Sequence, residues 1–123
     1  MIKLVALYTT PADVDAFEQH YNEVHLPLIR QVPYLRNAVA AKVWGAPRGT
    51  PAYYRMAEMW FDDRASFDKA MASDENRAAG KDLMSFAREI VTMVFVETEE
   101  STDPSTGSGQ ALGPGAGAAA GTE

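Results

Sequence analysis

The sequence predicts an α+β domain whose elements run β-α-β-β-α-β. Three observations predict it. Four short stretches, residues 2–8, 35–44, 53–61 and 90–96, are apolar on alternate positions or throughout, as strands are. Two longer stretches, residues 13–34 and 62–87, carry apolar residues at spacings of three and four, as helices do. Between the second and third strands lies only a loop dense in turn residues, Gly45-Ala46-Pro47-Arg48-Gly49-Thr50-Pro51, so those two strands are antiparallel. This order is the ferredoxin-like split βαβ arrangement, with one antiparallel four-stranded sheet and its helices on one face. A chain of 123 residues, 46% of them apolar, suits one such domain with a core of its own.

Each element has its own justification. In the first strand Ile2, Leu4, Ala6 and Tyr8 share one face while Val5 and Leu7 share the other. Two apolar faces mark a central strand. Thr9-Thr10-Pro11 then provides a helix entry, with Thr10 the expected N-cap and Pro11 at the first helical position. Val14, Phe17, Tyr21 and Val24 form one apolar stripe, and His25 lies at its edge one turn beyond Tyr21. Pro27 has no N–H and its ring meets the carbonyl four residues back, so it is expected to end or kink this helix. Leu26 is then extended and a shorter helix begins at LPLIRQV. In the third strand Tyr54, Met56, Glu58 and Trp60 share a face, and Tyr53, Arg55, Ala57, Met59 and Phe61 share the opposite one. Asp62-Asp63 precedes a helix carrying Ala65, Phe67, Ala70 and Met71. Ser73-Asp74-Glu75 starts another, with acids at the positive end of its dipole and Leu83, Phe86 and Ala87 in its buried stripe. The last strand, IVTMVFV, again has two apolar faces.

The folded domain is assigned to residues 1–99. Residues 100–123 are rich in Ser, Thr, Gly, Ala and Pro, hold six of the nine glycines, and offer Leu112 as their one large apolar residue. Nothing there offsets the entropy of ordering it, so a disordered acidic tail is expected. Helices on one side of the sheet leave a second apolar face open. A homodimer pairing sheet against sheet would cover it.

Composition excludes several partners. A net charge of −6 without a basic cluster gives no footprint for nucleic acid. No apolar run reaches the ~20 residues that span a bilayer. With no cysteine there is neither a disulfide nor a thiolate metal site. The expectation is a soluble cytoplasmic protein without nucleic-acid or membrane partners. Two histidines without H-x-x-x-H spacing make a poor metal site, and no glycine-rich phosphate loop is present, so no metal and no cofactor are expected.

The candidate chemistry lies at the helix break. An imidazole titrating near pH 6.5 exchanges protons at neutral pH, and His25 stands beside an apolar face. Its plain reading is a ring that bonds carbonyls freed by Pro27. Tyr21, one turn earlier, is either a hydroxyl donor to a substrate oxygen or a core tyrosine. Trp44, Tyr54, Trp60 and Phe86 are candidate pocket walls, or ordinary core and interface. Glu58, mid-strand, is costly if buried alone, with Lys42 on the neighbouring strand as its expected partner. His20 lies off the stripe and reads as a solvated residue, and Asp82 reads as a cap or salt-bridge partner.

The helix ending Phe17-x3-Tyr21-x3-His25-Leu26-Pro27-Leu28, the strand Ala57-Glu58-Met59-Trp60-Phe61 and Asp82-x3-Phe86 together resemble the EthD domain family. The resemblance implies a dimeric α+β barrel of ferredoxin-like protomers. It also implies chemistry on small oxygenated molecules, such as ether degradation, lactone isomerisation, and dehydration or oxidation of aromatic polyketides, often without a cofactor. The leading expectation is a cofactor-independent enzyme on a hydrophobic oxygenated molecule. His25 and Tyr21 are its catalytic pair, and Trp44, Tyr54, Glu58, Trp60 and Phe86 bind substrate. The alternatives are a non-catalytic binding module on the same barrel and a cofactor-free monooxygenase.

Overall fold

Ile2–Tyr8 (β1) runs through the interior of an antiparallel sheet of four strands in the computed structural model, which describes residues 1–99. The expectation for residues 100–123 lies outside the described residues. Arg55–Phe61 (β3) and Val91–Glu97 (β4) flank β1, and Asn37–Lys42 (β2) pairs with β3, giving the order β2-β3-β1-β4. The two apolar faces of β1 thus belong to a central strand, as its sequence predicts.

The register sorts the side chains. Leu4 stands opposite Met59 and Phe95, and Ala6 opposite Ala57 and Met93, so these share one face with Ile2, Tyr8, Arg55 and Phe61. That face receives the helices. One cluster packs Ile2, Leu4, Met59 and Phe61 against Val32, Phe67 and Ala70; another packs Ala6 and Tyr8 against Phe17, Tyr21, Leu83 and Ala87. The helical layer consists of Val14–His20 (α1), a π-helical turn at Tyr21–His25, Leu26–Ile29 (α2), Arg64–Met71 (α3) and Asp74–Ala87 (α4). The caps are Asp13, Asp63 and Ser73, whose side chains accept from Ala16 N, Ser66 N and Asn76 N. Thr10 is therefore not the first cap. Asp13 has its carboxylate one turn closer to the helix.

Pro27 does not end the helix. The chain continues from α1 through the π turn into α2, and Leu26 is helical (φ −60, ψ −41) rather than extended. The Leu26 N–H donates to the carbonyl of Tyr21, five residues back. Widening the turn by one residue relieves the clash that proline imposes on a tight α turn, and Pro27 then opens α2, where a missing N–H costs little. It also resets the stripe. Val24 is left 41% exposed, while His25 is buried beneath Tyr21. In an unbroken α-helix, positions three and four after Tyr21 would share its face; the wider turn favours the later one.

Candidate functional site

A cavity of about 350 Å³ opens between the sheet and the helices. Leu4, Ala6, Met59 and Met93 form its floor, Leu26, Ile29, Ala79 and Leu83 its roof, and Tyr21 and His25 meet it from the π turn. A mostly apolar hollow with few polar groups is the usual form of a small-molecule site.

His25 is held from behind. Its Nδ1 lies 3.1 Å from Oδ2 of Asp82 on α4, and its side chain is only 5% exposed. A carboxylate only accepts, so Nδ1 carries the proton of the neutral ring and donates it there. Nε2 is left with a free lone pair and, among the described residues, no protein partner. Burial pushes the imidazole below its ordinary value, and the bond and charge of Asp82 recover only part of the loss. At neutral pH the ring is therefore a neutral base in an apolar hollow.

A second polar group stands where α1 meets β3. Arg55 is buried and donates from Nη2 to both Glu18 oxygens, at 2.6 and 2.8 Å. Tyr54 donates its hydroxyl to Glu18 Oε2 at 2.5 Å, and Lys42 approaches the same carboxylate at 3.7 Å. Burial pushes the Glu18 carboxyl up, but the donors from Arg55 and Tyr54 reverse this and hold it below the ordinary range. The Arg55 guanidinium also lies over the Tyr21 ring, 4.4 Å from its centroid. The Tyr21 hydroxyl is buried and has no hydrogen-bond partner among the described residues. The imidazole can take up a proton at the cavity, and the Tyr21 ring packs beside it under Arg55.

Residues 9–89 match the EthD domain family. The chain belongs to that family. A curated relative of this EthD-domain chain is the "uncharacterized 11.0 kDa protein in thcB-thcC intergenic region" of Rhodococcus erythropolis. It is 34% identical over 99 residues, covering 80% of this chain and 96% of that protein. An ethyl tert-butyl ether d (ethd) family protein from Bacillus halodurans C-125 superposes with a TM-score of 0.77 at 42% identity, over 80% of this chain and 99% of the other. A dimeric ferredoxin-like protein of unknown function from Jannaschia sp. CCS1 shares the fold at 14% identity, with a TM-score of 0.60 over 80% and 100% of the two chains.

The EthD-domain fold brings together some of the sequence-predicted residues and disperses the rest. His25 and Tyr21 meet at the cavity, with ring centroids 5.8 Å apart. Phe86 packs against His25 and His20, at 5.3 and 4.4 Å between centroids, as a shield behind the base rather than a cavity wall. Trp44 lies past the end of β2 and is 98% exposed, so it walls nothing in this protomer. Tyr54 is tied to Glu18. Glu58 borders the cavity, but its carboxylate pairs at 2.9 Å with Lys3, which projects from the helix-free face. Trp60 shares that face, with the Lys3 ammonium 5.4 Å from its ring centroid. Lys42 is thus not the partner of Glu58; the two point to opposite faces, and Lys42 reaches Glu18 instead. His20 stays partly exposed, as its place off the stripe implies, but it also bonds Asp82 at 2.8 Å. Sequence reasoning misses Glu18 and Arg55 as a pair. Arg55 on the apolar face of its strand, and Glu18 beside Phe17, were the available signals.

Proposed function

We propose that this EthD-domain protein is an enzyme that moves protons on a small hydrophobic oxygenated molecule bound in the cavity between sheet and helices. His25 acts as general base and then general acid through Nε2, with Asp82 holding its tautomer. The Tyr21 hydroxyl donates to the substrate oxygen on which charge develops. The observation that carries this reading is the division of labour on one ring: Nδ1 bonded to a carboxylate, Nε2 unpartnered at an apolar cavity. Enolisation, lactone isomerisation and dehydration all use a proton carrier beside a held oxygen, which is the role this reading gives His25 and Tyr21. The apolar lining favours a ring or short chain over a charged metabolite.

The test is proton exchange. Small enolisable ketones, lactones and phenols are incubated with the protein in D2O, and deuterium uptake at the acidic C–H is followed by NMR. Wild type is expected to exchange at least one class. His25→Ala is expected to lose ~10²–10⁴-fold while keeping a cooperative fold. A His25→Ala protein that exchanges normally per folded molecule, or wild type that binds these ligands without any exchange, would sink the enzymatic reading and leave a binding module.

A further inference from the structure

The Asp82 carboxylate on α4 is shared between two histidines. Oδ2 receives His25 Nδ1 at 3.1 Å, and Oδ1 lies 2.8 Å from His20 Nε2. His25 borders the cavity, whereas His20 is 33% exposed and borders a separate outer groove with Pro11, Asp13, Phe17 and Phe86. The Phe86 ring lies against both imidazoles, and Asp82 keeps only 13% of its side-chain surface. Water therefore does little to screen Asp82 and His25 from one another. The bond from His20 fixes the plane of the carboxylate, which fixes where Oδ2 meets His25. A carboxylate already paired with one imidazolium offers less to a second, so the two rings compete for it.

We propose that His20 is a positioning residue for His25, acting through Asp82: its bond orients the carboxylate, and its charge sets how strongly that carboxylate supports a proton on His25. The other charged groups at hand are Asp13, Arg88 and Glu89 around the groove and Arg30 and Glu58 at the cavity. None of them forms a hydrogen bond with either ring. The effect on turnover rests on the function proposed above, but the coupling between the rings does not.

The experiment is an NMR titration of the His25 imidazole in the full-length protein, without substrate, for wild type, His20→Leu and His20→Gln. With the competing charge gone, both variants are expected to shift the His25 midpoint upward. Where turnover is measured, the acid limb of the pH–rate profile is expected to follow. His20→Leu is expected to lower the plateau rate roughly tenfold, as losing the outer partner of a polar site does. His20→Gln, which keeps an N–H donor, is expected to restore part of that. A His25 midpoint that stays put in folded His20→Gln would overturn the proposal. A shifted midpoint together with normal turnover in His25→Ala would instead overturn the catalytic reading and leave the coupling standing.

Discussion

Neutral His25 has a consequence for stability as well as for chemistry. In the unfolded chain its imidazole binds a proton near the ordinary value of 6.5, while burial holds the folded ring below that, more than Asp82 raises it. Between the two values the unfolded state binds more protons, so stability falls as pH drops from about 6.5. Above 6.5 the contribution is fully present. The melting temperature of wild type is therefore expected to fall between pH 7.5 and 5.5, and by less in His25→Gln, which has nothing to titrate there. Equal slopes for the two proteins would mean that His25 is not held neutral. The same sign governs activity, since a protonated base is an inactive one.

At the scale of elements, the link between α1 and β3 rests on Glu18 and Arg55. Arg55 sits on the helix face of the sheet with Tyr8 opposite in register, and it reaches its carboxylate across the layer. Glu18→Ala leaves that guanidinium buried without an anion. A loss on the order of 3 kcal/mol is expected from chemical denaturation, the low end for breaking a buried pair because Glu18 retains some exposure. Adding Arg55→Met is expected to recover part of it, since an apolar chain there needs no partner. A Glu18→Ala protein as stable as wild type would show the pair to be only local. The site also depends on this clamp, because Arg55 lies over the Tyr21 ring. The π turn acts at the same scale: it carries Pro27 without a break and brings His25 rather than Val24 under Tyr21.

Over the whole molecule, the helix-free face of the sheet is the unfinished surface. Val5, Leu7, Val39, Ala41, Met56 and Val94 share it around the Lys3–Glu58 pair. Val39 and Val94 remain exposed in the single chain. We propose that a second copy covers this face in a two-fold dimer. Light scattering at low micromolar concentration is expected to give twice the 13.4 kDa chain mass, since interfaces of ~2,000 Å² or more rarely separate on dilution. Placing Lys at both Val39 and Val94 is expected to yield monomers. A wild-type monomer that folds cooperatively would refute the pairing.

Periodicity alone determined much of this protein. Two apolar faces made β1 central, spacings of three and four located the helices, and Asp62-Asp63 and Ser73-Asp74-Glu75 marked two helix starts, because these signals are local. His25 and Tyr21 were legible for the same reason, lying on one turn of one helix. The partners were not. Asp82 is 57 residues from His25 and 62 from His20, and Glu18 is 37 from Arg55. Spacing along the chain cannot say which charged group meets which across a packed layer. Nor could it decide that Pro27 would be carried by a π turn, because the cost of a wider turn is met by burying Tyr21 and His25 against the sheet and α4. Trp44 and Trp60 stand away from this cavity, and Glu58 borders it while pairing with Lys3. Alternation tells that two faces differ, and only the packing of the helices decides which one becomes the cavity.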